Sequence, residues 1–366
     1  MGKERLYLKL GGAFLGRELR YEEDVLIEVE EGKISSIGKG TEGIDLRGYV
    51  AFPPLVNAHA HTLDYSFKEF GVDRTIRELV ADPNSLKYEM FKRSPSRGTK
   101  EFVGHSRSYG VGAVLDFVEE GVQGVRRAKS EAEGLRYYAL GRLDSFSDEE
   151  LKTLAEEADG FGLPSSSSYS PSQLEVIYGA FKHKVRAAHV SETVRQYLRK
   201  DWEVVLNHFK PSLLVHATHF TRKDFEEVLD LPVVFCPRSN MWHGVGIPRI
   251  AEAIEAGVKV MFGTDNGAWN SPNLWEDLRL SLLITRLQRP GSDFSREILK
   301  GATTNAYDFL GLRLSIEEGN EADFYLYPKE LLEGAFNPYV AIIKRAERPV
   351  HVSEVVGGLR EFSRLP

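Results

Sequence analysis

The sequence predicts an α/β protein: a (β/α)8 barrel of the TIM type, with a small β-sandwich formed by the N- and C-terminal segments. Three observations carry this. Eight short apolar runs recur along the middle of the chain, with helical start signals in the stretches between them. The runs are mostly continuous rather than alternating, as strands covered on both faces should be. Residues able to bind metal or move protons fall at the ends of several runs, where a parallel barrel keeps its active site.

The 366 residues divide, on this reading, into residues 1–51 as the first part of the sandwich, 52–320 as the barrel and 321–366 as the second part. Leu6 to Leu10, Val25 to Val29, Lys33 to Ile37 and Ile44 to Tyr49 carry alternating or β-branched patterns split by Gly and Glu-Gly turns. A piece that small buries little core alone. Partners are offered by Ala322 to Tyr327 and Val350 to Val356.

The barrel opens with Ala51 to His61, a short apolar strand ending in His59-Ala-His61. Val111 to Phe117, Leu135 to Arg142, Gly160 to Leu163 and Val185 to Val190 follow. Leu213 to Ala217, Val233 to Cys236 and Val258 to Phe262 complete the set. Between them, Ser147-x-x-Glu150 and Ser170-Pro171-x-Gln173 read as capping boxes, the second with proline at the first helical position. Leu151, Leu154, Ala155 and Ala158 share one helix face, as do Leu174, Ile177, Tyr178 and Phe181. Thr221-x-x-Asp224 opens a third helix with Phe225, Val228 and Leu229 as its stripe, and Gly257 stops the helix before the last strand. Ser165 to Ser168 is the one low-complexity stretch.

The net charge of −7 gives no reason to expect nucleic acid or an anionic membrane as partner. No segment approaches the roughly 20 apolar residues of a membrane span, and the first six residues lack a signal-type apolar core. A single cysteine, Cys236, excludes an internal disulfide and reads as core. Cytoplasm is the expected location, a small molecule the expected partner, and a homo-oligomer is left open. High Glu, Lys and Arg with little Cys is compatible with a thermophilic source.

Alternation along a strand turns His59 and His61 to one side. Alone, such a pair is either a shared metal site or two histidines at a strand end. Later strands decide between these: His189 ends the fifth with Glu192 three residues on, His216 and His219 end the sixth, and Asp265 follows the eighth. His105, His183, His208 and His351 fall on helices or in the sandwich and read as surface or packing residues. Three imidazoles and a carboxylate suit one divalent ion, Zn2+ first and Fe2+ as the alternative, which would bring a bound water toward a neutral pKa. Asp265 is then placed to take the water's proton and Glu192 to give one to substrate.

Together these residues resemble the amidohydrolase superfamily, in its branch of cytosine, guanine and adenosine-type deaminases and chlorotriazine hydrolases. Pro53-Pro-Leu-Val-Asn-Ala-His-Ala-His61 is similar to that branch's first-strand motif, usually written with Pro-Gly. His189-Val-Ser-Glu192, Val215-His-Ala-Thr-His219, Cys236-Pro-Arg-Ser-Asn240 and Gly263-Thr-Asp265 resemble its later motifs. Ala302 to Ala306 and Gly319 to Asp323 look like its return to the sandwich. The resemblance implies His59, His61, His189 and Asp265 as ligands of one metal. It makes Glu192 the proton donor to a ring nitrogen and His216 the group that orients the water or steadies developing charge. Two-metal relatives carry a lysine at the end of strand four; here that strand runs into Gly162 to Tyr169 without one, which implies a single metal. The segment between strands one and two, where such proteins read their substrates, is compact.

Secondary candidates line the barrel mouth. Arg238, Asn240, Trp242 and His243 follow strand seven, Trp269 and Asn270 follow strand eight, and His219 follows strand six. A tryptophan there either stacks on a planar ring or packs between loops. Asp64 and Tyr65 lie just beyond the first motif. The expected activity is hydrolytic deamination of an amino-substituted heterocycle of purine, pyrimidine, nucleoside or pterin type. Hydrolysis of a cyclic amide, an imidazolone or a carbon–halogen bond keeps the same site, and a non-catalytic metal-binding barrel would leave Glu192 and His216 without a task.

Overall fold

A computed structural model describes residues 5–81, 85–93 and 98–356. The first four residues, on which the reading of the N-terminus partly rests, and the last ten of the predicted sandwich lie outside them.

Four strands lead the chain: β1 (Arg5–Leu15), β2 (Arg20–Glu30), β3 (Lys33–Gly38) and β4 (Ile44–Phe52). Then come β5 (Leu55–His61), β6 (Val111–Val118), β7 (Arg136–Gly141), β8 (Gly160–Leu163) and β9 (Val185–Val190). β10 (Leu213–His216), β11 (Val233–Phe235), β12 (Val260–Phe262) and β13 (Asp265–Asn266) follow, with β14 (Tyr325–Pro328) and β15 (Val350–His351) last.

The two ends of the chain meet in one six-stranded sheet, ordered β15-β14-β4-β1-β2-β3. β1 and β2 form a hairpin, β4 runs parallel to β1, and β14 returns antiparallel to β4 with Leu326 opposite Ala51. This sheet has its own core, including Leu8, Leu10, Val25, Ile27, Phe324 and Leu326. Its first four strands outrun the alternating patterns that announced them, while β14 begins at Tyr325 rather than at the predicted Ala322. The last one falls short instead: only Val350–His351 pairs, and Val352–Val356, expected as strand, is a helix that buries Val352.

Pro53 and Pro54 separate the sheets. Neither has an N–H to donate to a ladder, so Ala51 and Phe52, read as the start of the first barrel strand, belong instead to β4. β5 begins at Leu55, whose N–H reaches the carbonyl of Gly110 at 2.8 Å. The second sheet runs β12-β11-β10-β9-β8-β7-β6-β5-β13, parallel at every pair described. Its two edges, β12 and β13, are pieces of one extended stretch separated by Gly263 and Thr264, so the sheet closes on itself. The eighth strand thus reaches three or four residues beyond the predicted Phe262, and that extension carries Asp265.

Closure is tight. Asn57 accepts from the Thr264 N–H at 3.0 Å through its carbonyl oxygen and donates to the Thr264 hydroxyl at 2.8 Å. At Gly263 a β-carbon would stand 2.6 Å from the His59 carbonyl oxygen and 2.7 Å from the His59 Cβ. Gly263→Ala should therefore cost about 1–3 kcal/mol as overpacking and push His59 aside. Urea denaturation and metal content measure the two effects; parental values for both would mean that the strands have slack here.

The helices follow their apolar faces. Ser170 and Gln173 form a reciprocal capping box ahead of Pro171–Phe181, which seats Phe181 against Phe161 of β8 with ring centroids 5.3 Å apart. Ser147 caps Asp148–Glu157, but the predicted box is one-sided: Glu150 turns to the N–H groups of Asp144 and Ser145 instead. Thr221 and Asp224 form their box, yet the helix stops at Glu226; Phe225 and Val228 are buried and Leu229, placed in the stripe, is 45% exposed. Gly257 ends its helix at φ +91°.

Candidate metal and active site

Strand ends bring the predicted ligands together. His59 and His61 come from the end of β5, His189 from β9 and Asp265 from β13, all buried. One donor atom from each lies within 4.8 Å of the others. His59 Nε2 is 3.0 Å and His61 Nε2 3.5 Å from the same oxygen, Asp265 Oδ1. The outer ring nitrogen of His59, Nδ1, has no partner among the described residues, but the other two are tied: His61 Nδ1 to Glu119 Oε1 at 3.1 Å and His189 Nδ1 to the Leu163 carbonyl at 3.0 Å. That leaves Nε2 of each free to face inward, the arrangement by which outer partners orient metal-binding histidines. Phe117 packs edge-on against His59 and His189, at 4.4 and 4.8 Å between centroids.

Charge fits the same purpose. Burial pulls His59 down to about 4 and His189 well below the usual imidazole value, so both are neutral, as ligands must be. His61 shifts up: Glu119 and Asp265 outweigh its burial and the nearby Lys87. Asp265 is held well below the usual carboxylate range, against its burial, by the His59 hydrogen bond and the surrounding imidazoles. Three imidazoles and one buried carboxylate are a donor set suited to a borderline divalent cation at about 2.0–2.2 Å per bond.

Beside this cluster stand Glu192 and His216. His216 Nε2 is 3.7 Å from Glu192 Oε1, and the two form a second close group with Asp265. Burial, with help from the Asp265 charge, lifts Glu192 to about 8. Burial lowers His216 to about 4. The helix Pro237–Trp242, begun by proline after β11, supplies the props: Asn240 Nδ2 lies 3.0 Å from His216 Nδ1, and the Ser239 hydroxyl donates to Asp265 Oδ2. Ser191, His216, Ala217 and Asp265 all take positive φ, between 45° and 72°. Non-glycine residues in that region store strain, which tends to gather at functional sites.

A family model described as "Amidohydrolase family" matches residues 50–355. The chain belongs to the amidohydrolase family. With the family comes the reaction class, hydrolysis of a carbon–nitrogen bond other than a peptide bond. A putative aminohydrolase of Methanothermobacter thermautotrophicus is 29% identical over 372 residues, covering 93% of this chain and 95% of that one. A 5-methylthioadenosine/S-adenosylhomocysteine deaminase of Thermotoga maritima is 27% identical over 336 residues, covering 84% and 81%. Among solved structures, an adenosine deaminase from Xanthomonas campestris with bound zinc superposes at a TM-score of 0.80, with 18% identity over 94% of this chain and 89% of that one. That likeness bears on the fold, and the fold is the TIM-type barrel.

The secondary candidates of this amidohydrolase separate into distinct situations. Asn240 braces His216, as described. Arg238 is engaged with Ser271, Glu276 and Asp277, holding the helix Leu274–Gln288 to the loop. His219 Nε2 lies 2.8 Å from the Val245 carbonyl and its ring faces Tyr197, outside the four-donor cluster. His243 stands edge-on to Trp269 at 4.9 Å, and Trp269 donates its indole N–H to the Phe70 carbonyl. Trp242 is 50% exposed, while Asn270 is buried with its amide nitrogen unpartnered among the described residues. Tyr65 is hydrogen-bonded to His105, and Cys236 is buried core.

Three groups escaped the sequence reading. Glu119, one residue past β6, holds His61; it sits at a strand end, the same signal that marks the other site residues. Ser239 lies inside a motif read for its neighbours. Lys87, from the helix Leu86–Arg93, has no pattern around it that points inward.

Proposed function

We propose that this chain is a metal-dependent hydrolytic deaminase of an amino-substituted heterocycle of purine, pyrimidine, nucleoside or pterin type, with zinc as its ion. The observation that carries the reading is the convergence of His59, His61, His189 and Asp265 beside Glu192 and His216. The deaminase among its relatives supports the leaving group. The six-stranded sheet is read as the small sandwich, curled over its own core, with residues 1–51 and 321–366 flanking a barrel of 52–320.

His59, His61, His189 and Asp265 would hold the ion, which supplies a water acidic enough to lose its proton near neutrality. The remaining work belongs to the chain. Asp265 accepts the water's proton, and His216, braced by Asn240, steadies the oxygen as it bonds to the amino-bearing ring carbon. Glu192 gives its proton to the adjacent ring nitrogen, so the carbon–nitrogen double bond becomes single. Asp265 then passes its proton to the amino nitrogen, the carbon–nitrogen bond breaks and ammonia leaves. Glu192 regains a proton as the carbonyl product forms. Closed surroundings strengthen each of these charge interactions.

A screen of aminopurines, aminopyrimidines, their nucleosides and pterins for released ammonia tests the reading. Turnover is expected on at least one class. Hydrolysis of cyclic amides or halogenated triazines without ammonia release from any amino-heterocycle would replace it.

A further inference from the structure

On the far side of His61 from the four-donor cluster lies a buried group of charges. Lys87 is 4% exposed, with Nζ 2.7 Å from Asp64 Oδ2 and 2.6 Å from Glu119 Oε1. That same Glu119 oxygen lies 3.1 Å from His61 Nδ1, and the Arg142 guanidinium stands 3.5 Å away. Asn266 donates to Asp64. His61, Asp64 and Glu119 bring donor atoms within 4.8 Å of one another, the makings of a second cation site. Glu119 Oε2 and Asp64 Oδ1 have no hydrogen-bond partner among the described residues. The cation between the two carboxylates is the lysine itself.

We propose that Lys87 is a positioning residue: its ammonium takes the place of a second metal ion and holds Glu119 against His61 Nδ1. An anionic carboxylate accepts from Nδ1–H, which leaves the lone pair on Nε2, turned toward Asp265. Without Lys87 the two carboxylates repel each other, and Glu119 loses the contact that sets its place. The proposal rests on reading His61 as a ligand. It adds that the excursion between β5 and β6 reaches the back of His61 through Lys87 and its partner Asp64.

The test is zinc affinity of the metal-free protein, read by competition with a chromophoric chelator, alongside melting temperature. Lys87→Met and Glu119→Gln should each weaken zinc binding about 10–100-fold, and the double variant should be no worse than the weaker single, because both act on one path. Lys87→Met/Asp64→Asn removes opposite charges together; it should melt near the parent temperature and still bind zinc weakly. Visible bands of the cobalt-substituted protein should shift in all four variants. Lys87→Met/Asp64→Asn, which leaves no unpaired buried charge behind, decides the matter if Lys87→Met alone does not fold. Zinc affinity within about threefold of the parent in the folded variants, or additive losses in Lys87→Met/Glu119→Gln, overturns the proposal alone. A parent protein that binds no zinc overturns the ligand reading with it.

Discussion

Glu192→Gln is expected to lose about a hundredfold to ten-thousandfold in turnover, the usual worth of a general acid, while binding metal as the parent does. The amide keeps the volume of the side chain and its place 3.7 Å from His216 Nε2, but it has no acidic proton to give. Glu192 stands outside the four-donor cluster, so zinc content by elemental analysis should not move. Its carboxyl, lifted to about 8 chiefly by burial, is the kind of group that holds a proton for donation near neutrality. Parental turnover would remove Glu192 from proton transfer. A fall in zinc content would make it a ligand instead.

A larger loss is expected when a ligand goes. His59→Ala and Asp265→Asn should bring bound zinc toward zero and turnover with it, and a chelator added to the parent should do the same reversibly. Asparagine is the better probe at Asp265, because φ there is +60° and Asn tolerates that region where Ala is strained. It also keeps a partner for the Ser239 hydroxyl while removing the charge. Metal held only by the folded chain stabilises it by about 4 kcal/mol at a thousandfold excess over its dissociation constant. The chelated parent should therefore melt lower, and Asp265→Asn should no longer respond to zinc. Undiminished zinc in both variants would sink the ligand set.

Much of this was legible from residue order alone. The barrel strands announced themselves because a strand buried on both faces must be apolar throughout, and the four clustered donors because polar residues at the ends of such strands are hard to explain otherwise. Where the reading slipped, a local signal met a tertiary fact. Ala51 and Phe52 are as apolar as β5, and only the sheet that claims them tells them apart. Val352–Val356 is β-branched enough for a strand, but after two paired residues it turns into a helix. Leu229 keeps helical spacing with Phe225 although the helix has ended at Glu226. Lys87 was beyond reach. A lysine in a helix of ordinary composition reads as solvent-facing, and nothing local reveals two buried carboxylates waiting for it. The positive φ values at His216 and Asp265 were equally hidden: Asp and His visit that region more often than most residues, but far too seldom for the residue type to signal it.

Three of the four donors, His59, His61 and Asp265, sit where β5 meets β13, the junction at which the first and last strands of the barrel join. An ion gripped there would act as a rivet on the seam of the cylinder. Its hold would fall on the circle as a whole, since no hairpin or short loop ties those two strands together and some two hundred residues separate them along the chain.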